Sequence, residues 1–196
     1  MVVELNFNVL STTTGLSFGH GNSMQLGSNG VAYISGWDDA KVYALNLSEK
    51  TVTELFTIPA SVTYGNMTYS SVAVDDENKI AYIFLRYSPP NFPTINNFVV
   101  YDYANDRVVS NKKFNYSFNG IQSIDFYCGK IFVAYGAGSM QYAPERGLFI
   151  CDTNNTMLSR FVIAEIGSKE PEGAFIDRTT GDLLFTIQDD LYKILC

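Results

Sequence analysis

The chain has 196 residues with 46% hydrophobic content and no low-complexity tract, which excludes an intrinsically disordered protein and leaves room for a real buried core. Its 20 acidic and 13 basic residues give a net charge of −7, so broad attraction to nucleic acid or to anionic membranes is disfavoured. No apolar run approaches the roughly 20 residues that a membrane helix needs, and Met1–Leu10 has neither the basic start nor the long apolar stretch of a leader, so a soluble chain without membrane insertion is expected.

Residues 1–10 alternate Val3, Leu5, Phe7 and Val9 with Val2, Glu4, Asn6 and Asn8, the period-two pattern of a strand with one buried face. Residues 20–58 then divide into four short apolar runs, Ser23–Leu26, Val31–Trp37, Lys41–Leu47 and Thr51–Ile58. Between them stand Gly-Ser-Asn-Gly, Asp-Asp-Ala and Ser-Glu-Lys, residues that accept tight turn geometry. This is the pattern of a four-stranded antiparallel meander.

The meander recurs over residues 69–116, 121–165 and 171–196. Its third run reads KVYALN from Lys41, NFVVYD from Asn97, GLFICD from Gly147 and DLYKIL from Asp190. Met24, Val72, Ile124 and Ala174 mark the first run at spacings of 48, 52 and 50 residues. A four-strand unit repeating every 40 to 50 residues or so is the signature of a β-propeller blade. The last copy has only three runs, so residues 1–10 are expected to supply its fourth strand and close a single domain, 1–196, of four blades. Five blades, or part of a larger ring, is the alternative.

Differences between the copies locate candidate sites. The link between second and third runs is short at Asp38–Ala40 and at Asp189-Asp190, but swells around residues 87–96 and 138–146. Loops of this kind on a rigid scaffold are where binding resides. Trp37, Tyr87, Phe92 and Tyr142, with Asp38, Asp39 and Asn91 beside them, form an expected platform for a sugar ring or a protein partner, since rigid aromatics give contact area at little entropic cost. His20, Asn22, Ser70, Gln122 and Glu172 fall where the innermost strands begin and are expected to converge as a polar ring.

Catalysis is not expected. His20 is the single histidine, no Gly-x-Ser-x-Gly elbow exists, and the Asp-Asp pairs fall in turns where neighbouring carboxylates diverge. Three cysteines without close spacing argue against a disulfide framework or zinc site, and Cys151 occupies a position that Leu45 and Tyr101 fill in sister copies, as a packing residue would. No cofactor is expected; the alternative is a divalent cation at Glu172 and Asn22 with His20 beside them.

Two resemblances follow from these motifs. His20-Gly-Asn-Ser-Met-Gln25, followed by a Gly/Asn turn, Val-Ala-Tyr-Ile and Trp37-Asp-Asp, resembles the propeller repeats of bacteriophage receptor-binding and tail-fibre proteins. That resemblance implies a non-enzymatic recognition module that binds a glycan or protein partner within a larger, oligomeric assembly. Pro171-Glu-Gly-Ala-Phe-Ile-Asp177 with Thr180-Gly-Asp-Leu-Leu184 resembles the Pro-Glu-Gly segment of NHL, strictosidine-synthase and gluconolactonase-like propellers. It implies a metal-dependent lactonase or hydrolase in which Glu172 and Asn22 match two of three ligands. A structural adaptor is the third reading.

Overall fold

The computed structural model describes residues 2–5, 15–17, 21–27, 30–36, 39–63, 68–87, 95–113, 121–136, 146–162, 169–188 and 190–194. Among these, every long regular element is a strand: β1 (Val2–Leu5), β2 (Gly21–Leu26), β3 (Val31–Gly36), β4 (Lys41–Asn46), β5 (Thr51–Thr57), β6 (Thr68–Asp75), β7 (Ile80–Tyr87), β8 (Ile95–Asp102), β9 (Arg107–Lys113), β10 (Ile121–Tyr127), β11 (Lys130–Tyr135), β12 (Gly147–Asp152), β13 (Met157–Val162), β14 (Pro171–Ile176), β15 (Leu183–Ile187) and β16 (Asp190–Ile194). They form four antiparallel four-stranded sheets, β2-β3-β4-β5, β6-β7-β8-β9, β10-β11-β12-β13 and β14-β15-β16-β1, the blades of a four-bladed β-propeller.

The turn chemistry read from the sequence explains where the strands stop. Asn46, Asp75, Asp102, Asp152 and Asp177 each end a strand or directly follow one, and each side-chain oxygen accepts a backbone N–H from two to four residues on. Lys50, Lys79, Asp106 and Asn155 then take the left-handed conformation at φ 56, 60, 49 and 68° that returns the chain to the next strand. The N-terminal strand completes the fourth sheet as expected, with Val2 opposite Ile194 and Leu5 opposite Leu191. Its pairing covers the outer edge of β16.

The chain divides into two compact units, Gly15–Ser117, and Met1–Thr14 with Phe118–Cys196. In the first, Val42, Ile58, Val72, Val74, Ile83 and Val99 form the buried core between the first two sheets. In the second, Ala174, Ile176, Leu183, Phe185 and Ile187 pack against Phe132, Ala134 and Leu148. The strand aromatics Tyr33, Tyr82, Phe132 and Phe185 are all buried, as their pattern predicts, and Cys151 is fully buried.

One strand departs from the expected face. The repeat is anchored on apolar positions, yet Met24 is 59% exposed while its counterparts Val72, Ile124 and Ala174 are at most 2% exposed. In β2 the buried side chains are instead Ser23 and Gln25. Their burial has a physical cause. Strand β6 is the inner edge of its sheet, and the N–H and C=O groups on its far side have no ladder partner. Gln25 supplies both halves: its Nε2 donates to the Val74 carbonyl at 2.6 Å, and its Oε1 accepts from the Val74 N–H at 2.7 Å. Ser23 Oγ accepts from the Val72 N–H at 3.2 Å and shares a hydrogen bond with Ser35 Oγ at 2.7 Å.

The other unit repeats the device with different chemistry. Asp125, one residue past Ile124 as Gln25 is one past Met24, accepts from the Ile176 N–H at 2.7 Å and from Arg178. Ile176 is two residues past Ala174, as Val74 is two past Val72. The corresponding positions in the second and fourth sheets hold Ala73 and Phe175, which carry neither amide nor carboxylate.

Replacing Gln25 with Ala strands the Val74 N–H and carbonyl. The expected cost is about 1–3 kcal/mol, the penalty for buried polar groups left unsatisfied. Met24→Ala, at an exposed position, is expected to stay within about 0.5 kcal/mol. Urea unfolding checks both: the midpoint falls with Gln25→Ala, the slope holds, and equal effects of the two substitutions would contradict the role given to Gln25.

Candidate functional site

Three of the polar residues at the inner strand starts share a backbone feature invisible to periodicity. The antiparallel register slips between Gly21 and Ser23, between Ile121 and Ser123, and between Pro171 and Gly173. Asn22, Gln122 and Glu172 are the residues at these irregularities. A bulge leaves its residue out of the ladder and re-aims it, and bulges concentrate beside functional sites. Ser70, the fourth member of the series, sits in regular pairing opposite Leu85; it is buried and its Oγ donates to the Gly36 carbonyl at 3.4 Å.

In the unit containing β10–β16 the bulge residues belong to a polar cluster at one end of the sheets, the end whose strands bracket the long link around residues 137–145. Gln122 Nε2 donates to Glu170 Oε2 at 3.0 Å. The Glu170 carbonyl accepts from the Gln188 N–H at 3.0 Å, which anchors the approach to β14. Arg146, buried immediately before β12, donates from Nη1 to the Lys169 carbonyl. Lys169 Nζ in turn meets Asp190 Oδ2 at 2.6 Å, and this ammonium holds the Asp190 carboxyl below its usual range.

Gly136 makes room for Arg146. Its φ is +116°, and a Cβ there would lie 2.5 Å from Arg146 Cγ and 2.8 Å from Arg146 Cα. Only glycine satisfies both the backbone conformation and the contact. Burial, followed by the nearby Glu170 charge, raises the Glu172 pKa. The cluster therefore offers amide, carboxylate, ammonium and guanidinium groups within a short stretch of strand ends.

Other expected site residues are distributed differently. Trp37, Asp38, Asn91, Phe92, Tyr142 and His20 lie outside the described residues. The backbone of Tyr87 closes β7, paired with Thr68 and Ile95, and Asn22 lies in β2; their side chains also fall outside the described set. Asp39 is described, and its carboxylate orders the β3–β4 link. It accepts from the Lys41 N–H at 3.1 Å and from the Tyr43 hydroxyl, and that hydrogen bond is the leading reason the Tyr43 pKa is pushed up to about 12.

Among the described residues no group of three or more His, Cys, Asp and Glu side chains is placed to hold a metal ion, and no helix is long and apolar enough to cross a membrane. Glu172 and Asn22 occupy equivalent bulges in different units. Burial pushes the Cys151 thiol up to about 12, which suits a packing residue.

Sequence reading did not single out Arg146, Lys169, Glu170, Gln25 or Asp125. Two signals bear on them: Arg146 ends the third-blade insertion, and Glu170 precedes Glu172 by the two residues that place side chains on one face of an extended strand.

No protein-family model matches the sequence, and none of the curated proteins does. Solved structures do match in fold. The PQQ-bound aldose sugar dehydrogenase of Streptomyces coelicolor is 14% identical with a TM-score of 0.53 over 94% of this chain and 59% of that one. A chain of the nidogen/laminin complex is 12% identical with a TM-score of 0.52, covering 85% and 56%. The major Malassezia sympodialis allergen Mala s 1 is 12% identical with a TM-score of 0.54, covering 84% and 56%. The present chain spans a little over half the length of each of these chains. The shared property is the propeller fold; these neighbours include an enzyme and a protein caught in a complex, so their functions are mixed.

The Gly136–Arg146 contact gives a direct test of how the cluster is held. Gly136→Ala is expected to cost about 1–3 kcal/mol through backbone strain, and more than Gly129→Ala, where φ is +72° but no atom lies within 4 Å of an added Cβ. Equal urea midpoints for the two variants would contradict the packing role of Gly136.

Proposed function

We propose that the protein is a non-enzymatic recognition module that binds a glycan through one end of its sheets, as a component of a phage particle or comparable surface assembly. The observation that carries this reading is the cluster at the starts of β10, β12, β14 and β16, where Gln122, Arg146, Lys169, Glu170, Glu172 and Asp190 combine donors and acceptors on rigid strand ends. A sugar presents both hydroxyl donors and hydroxyl acceptors, and a mixed set of fixed polar groups can satisfy both. The long link between β11 and β12, in the same unit, carries Tyr142, an aromatic residue of the type that stacks on sugar faces. The acidic balance of the chain favours neutral or cationic ligands over polyanions. Several copies in one assembly would raise weak single-site affinity by avidity.

A glycan array with the intact protein tests the proposal. Wild type is expected to retain a defined set of neutral glycans, with Gln122→Ala and Tyr142→Ala each losing about tenfold in affinity or more, equivalent to about 1.4 kcal/mol. Absence of any glycan signal would leave a protein partner or a structural adaptor in its place. Metal-dependent turnover of a lactone or ester that disappears in Glu172→Ala would replace recognition with catalysis.

A further inference from the structure

The contact between the third and fourth sheets is made by a charged group where the contact between the first and second sheets is made by a neutral one. Asp125 is fully buried, and its carboxylate receives the Ile176 N–H on one oxygen and the Arg178 guanidinium on the other. Arg178 belongs to the turn after β14; its side chain keeps 22% exposure and its guanidinium carbon lies 5.0 Å from the centre of the Tyr127 ring. The turn is built on Asp177, whose carboxylate accepts from the Thr179 N–H at 2.8 Å. One end of the arrangement is locked in the core and the other can reach water.

We infer that the Asp125–Arg178 pair is a pH-sensitive clasp, which ties the turn of residues 177–181 to the third sheet when Asp125 is charged and releases Arg178 when Asp125 is protonated. Protonation adds one solvent proton to the Asp125 carboxyl and removes its negative charge. Arg178 keeps its proton throughout. The neutral acid still accepts from Ile176, but it no longer balances the guanidinium, and solvent lies within reach of the arginine.

Among the described residues, the groups that face Asp125 from the neighbouring strands are neutral. On β11 the residue opposite Asp125 is Phe132, and on β14 the contact is through the Ile176 backbone. Tyr127, two residues along β10, presents its ring to Arg178. The Asp177 carboxylate is engaged in its own turn and held below its usual range chiefly by the Thr179 N–H, with the Thr180 N–H beside it, and Asp182 is paired with Lys193. Burial is the strongest influence on Asp125 and raises it to about 6, with Arg178 and the Ile176 N–H pulling the other way. The folded state therefore holds a proton that the unfolded chain has lost, so the contribution of Asp125 to stability falls as pH rises from the ordinary carboxyl range through about 6. Gln25, in the equivalent place, does not titrate.

The intact protein supplies both the test and its internal control. In proton–nitrogen NMR spectra collected from about pH 4.5 to 8, the Ile176 amide is expected to follow one titration with a midpoint of about 6, while the Val74 amide, held by Gln25, stays flat. Asp125→Asn is expected to abolish the Ile176 titration. Arg178→Gln is expected to raise its midpoint by about one pH unit or more, because the neighbouring positive charge is gone. A flat Ile176 amide in wild type, or a titration that survives Asp125→Asn, overturns the clasp. Should Asp125→Asn fail to fold, an unmoved midpoint in Arg178→Gln overturns it equally.

Discussion

An innermost strand is a sheet edge, and once buried it carries backbone N–H and C=O groups that the ladder on its other side cannot reach. Here those groups are met by side chains of the preceding inner strand: Gln25 for Val74, Ser23 for Val72, Asp125 for Ile176. Nonpolar packing then becomes possible around them, since an unsatisfied amide in the same place would offset much of the gain from burying a valine or isoleucine. The two versions of the device obey the chemistry of their side chains. A glutamine amide can donate and accept at once, and so serves both groups of Val74 alone. An aspartate can only accept, and its buried charge requires Arg178 as well.

The same inner strands fix the candidate site. The Asp125 bond to Ile176 and the packing of Tyr127 hold β10 against β14, while at the strand starts the register slips at Gln122 and Glu172. These bulges lift two polar residues out of the ladder beside Glu170, and Gly136 lets the Arg146 backbone and side chain lie close by. Rigidity behind and irregularity in front is the arrangement that a binding surface requires: groups aimed at a ligand must be fixed before it arrives. The resulting mixture of donors and acceptors underlies the proposal of glycan recognition.

Much of the fold was legible because it depends on short-range signals. Turn residues such as Asn46, Asp102 and Asp152 bond locally, alternation in residues 1–10 announces a strand, and the repeat of about 50 residues aligns four meanders. Of the candidate site, the chain position of Gln122 and Glu172 at the strand starts was readable, but their bulges were not, since a one-residue register slip leaves no mark on composition. Met24 misled for a related reason. An apolar residue in an alternating run is read as core, yet the partner of β2 is a backbone edge that calls for Ser23 and Gln25. Arg146 and Asp125 take their meaning from residues 23 and 53 positions away, a separation at which no local pattern operates.

The claim that inner-strand side chains join the sheets within each unit is tested most directly by native-state hydrogen exchange at the Val74 and Ile176 amides. The account predicts that both exchange only through large-scale opening of their units, with protection comparable to Ile83 and Val133 at the centres of β7 and β11. Exchange at the rate of exposed turn amides such as Ala104 would contradict it, because the bonds from Gln25 and Asp125 would then not hold those edges closed.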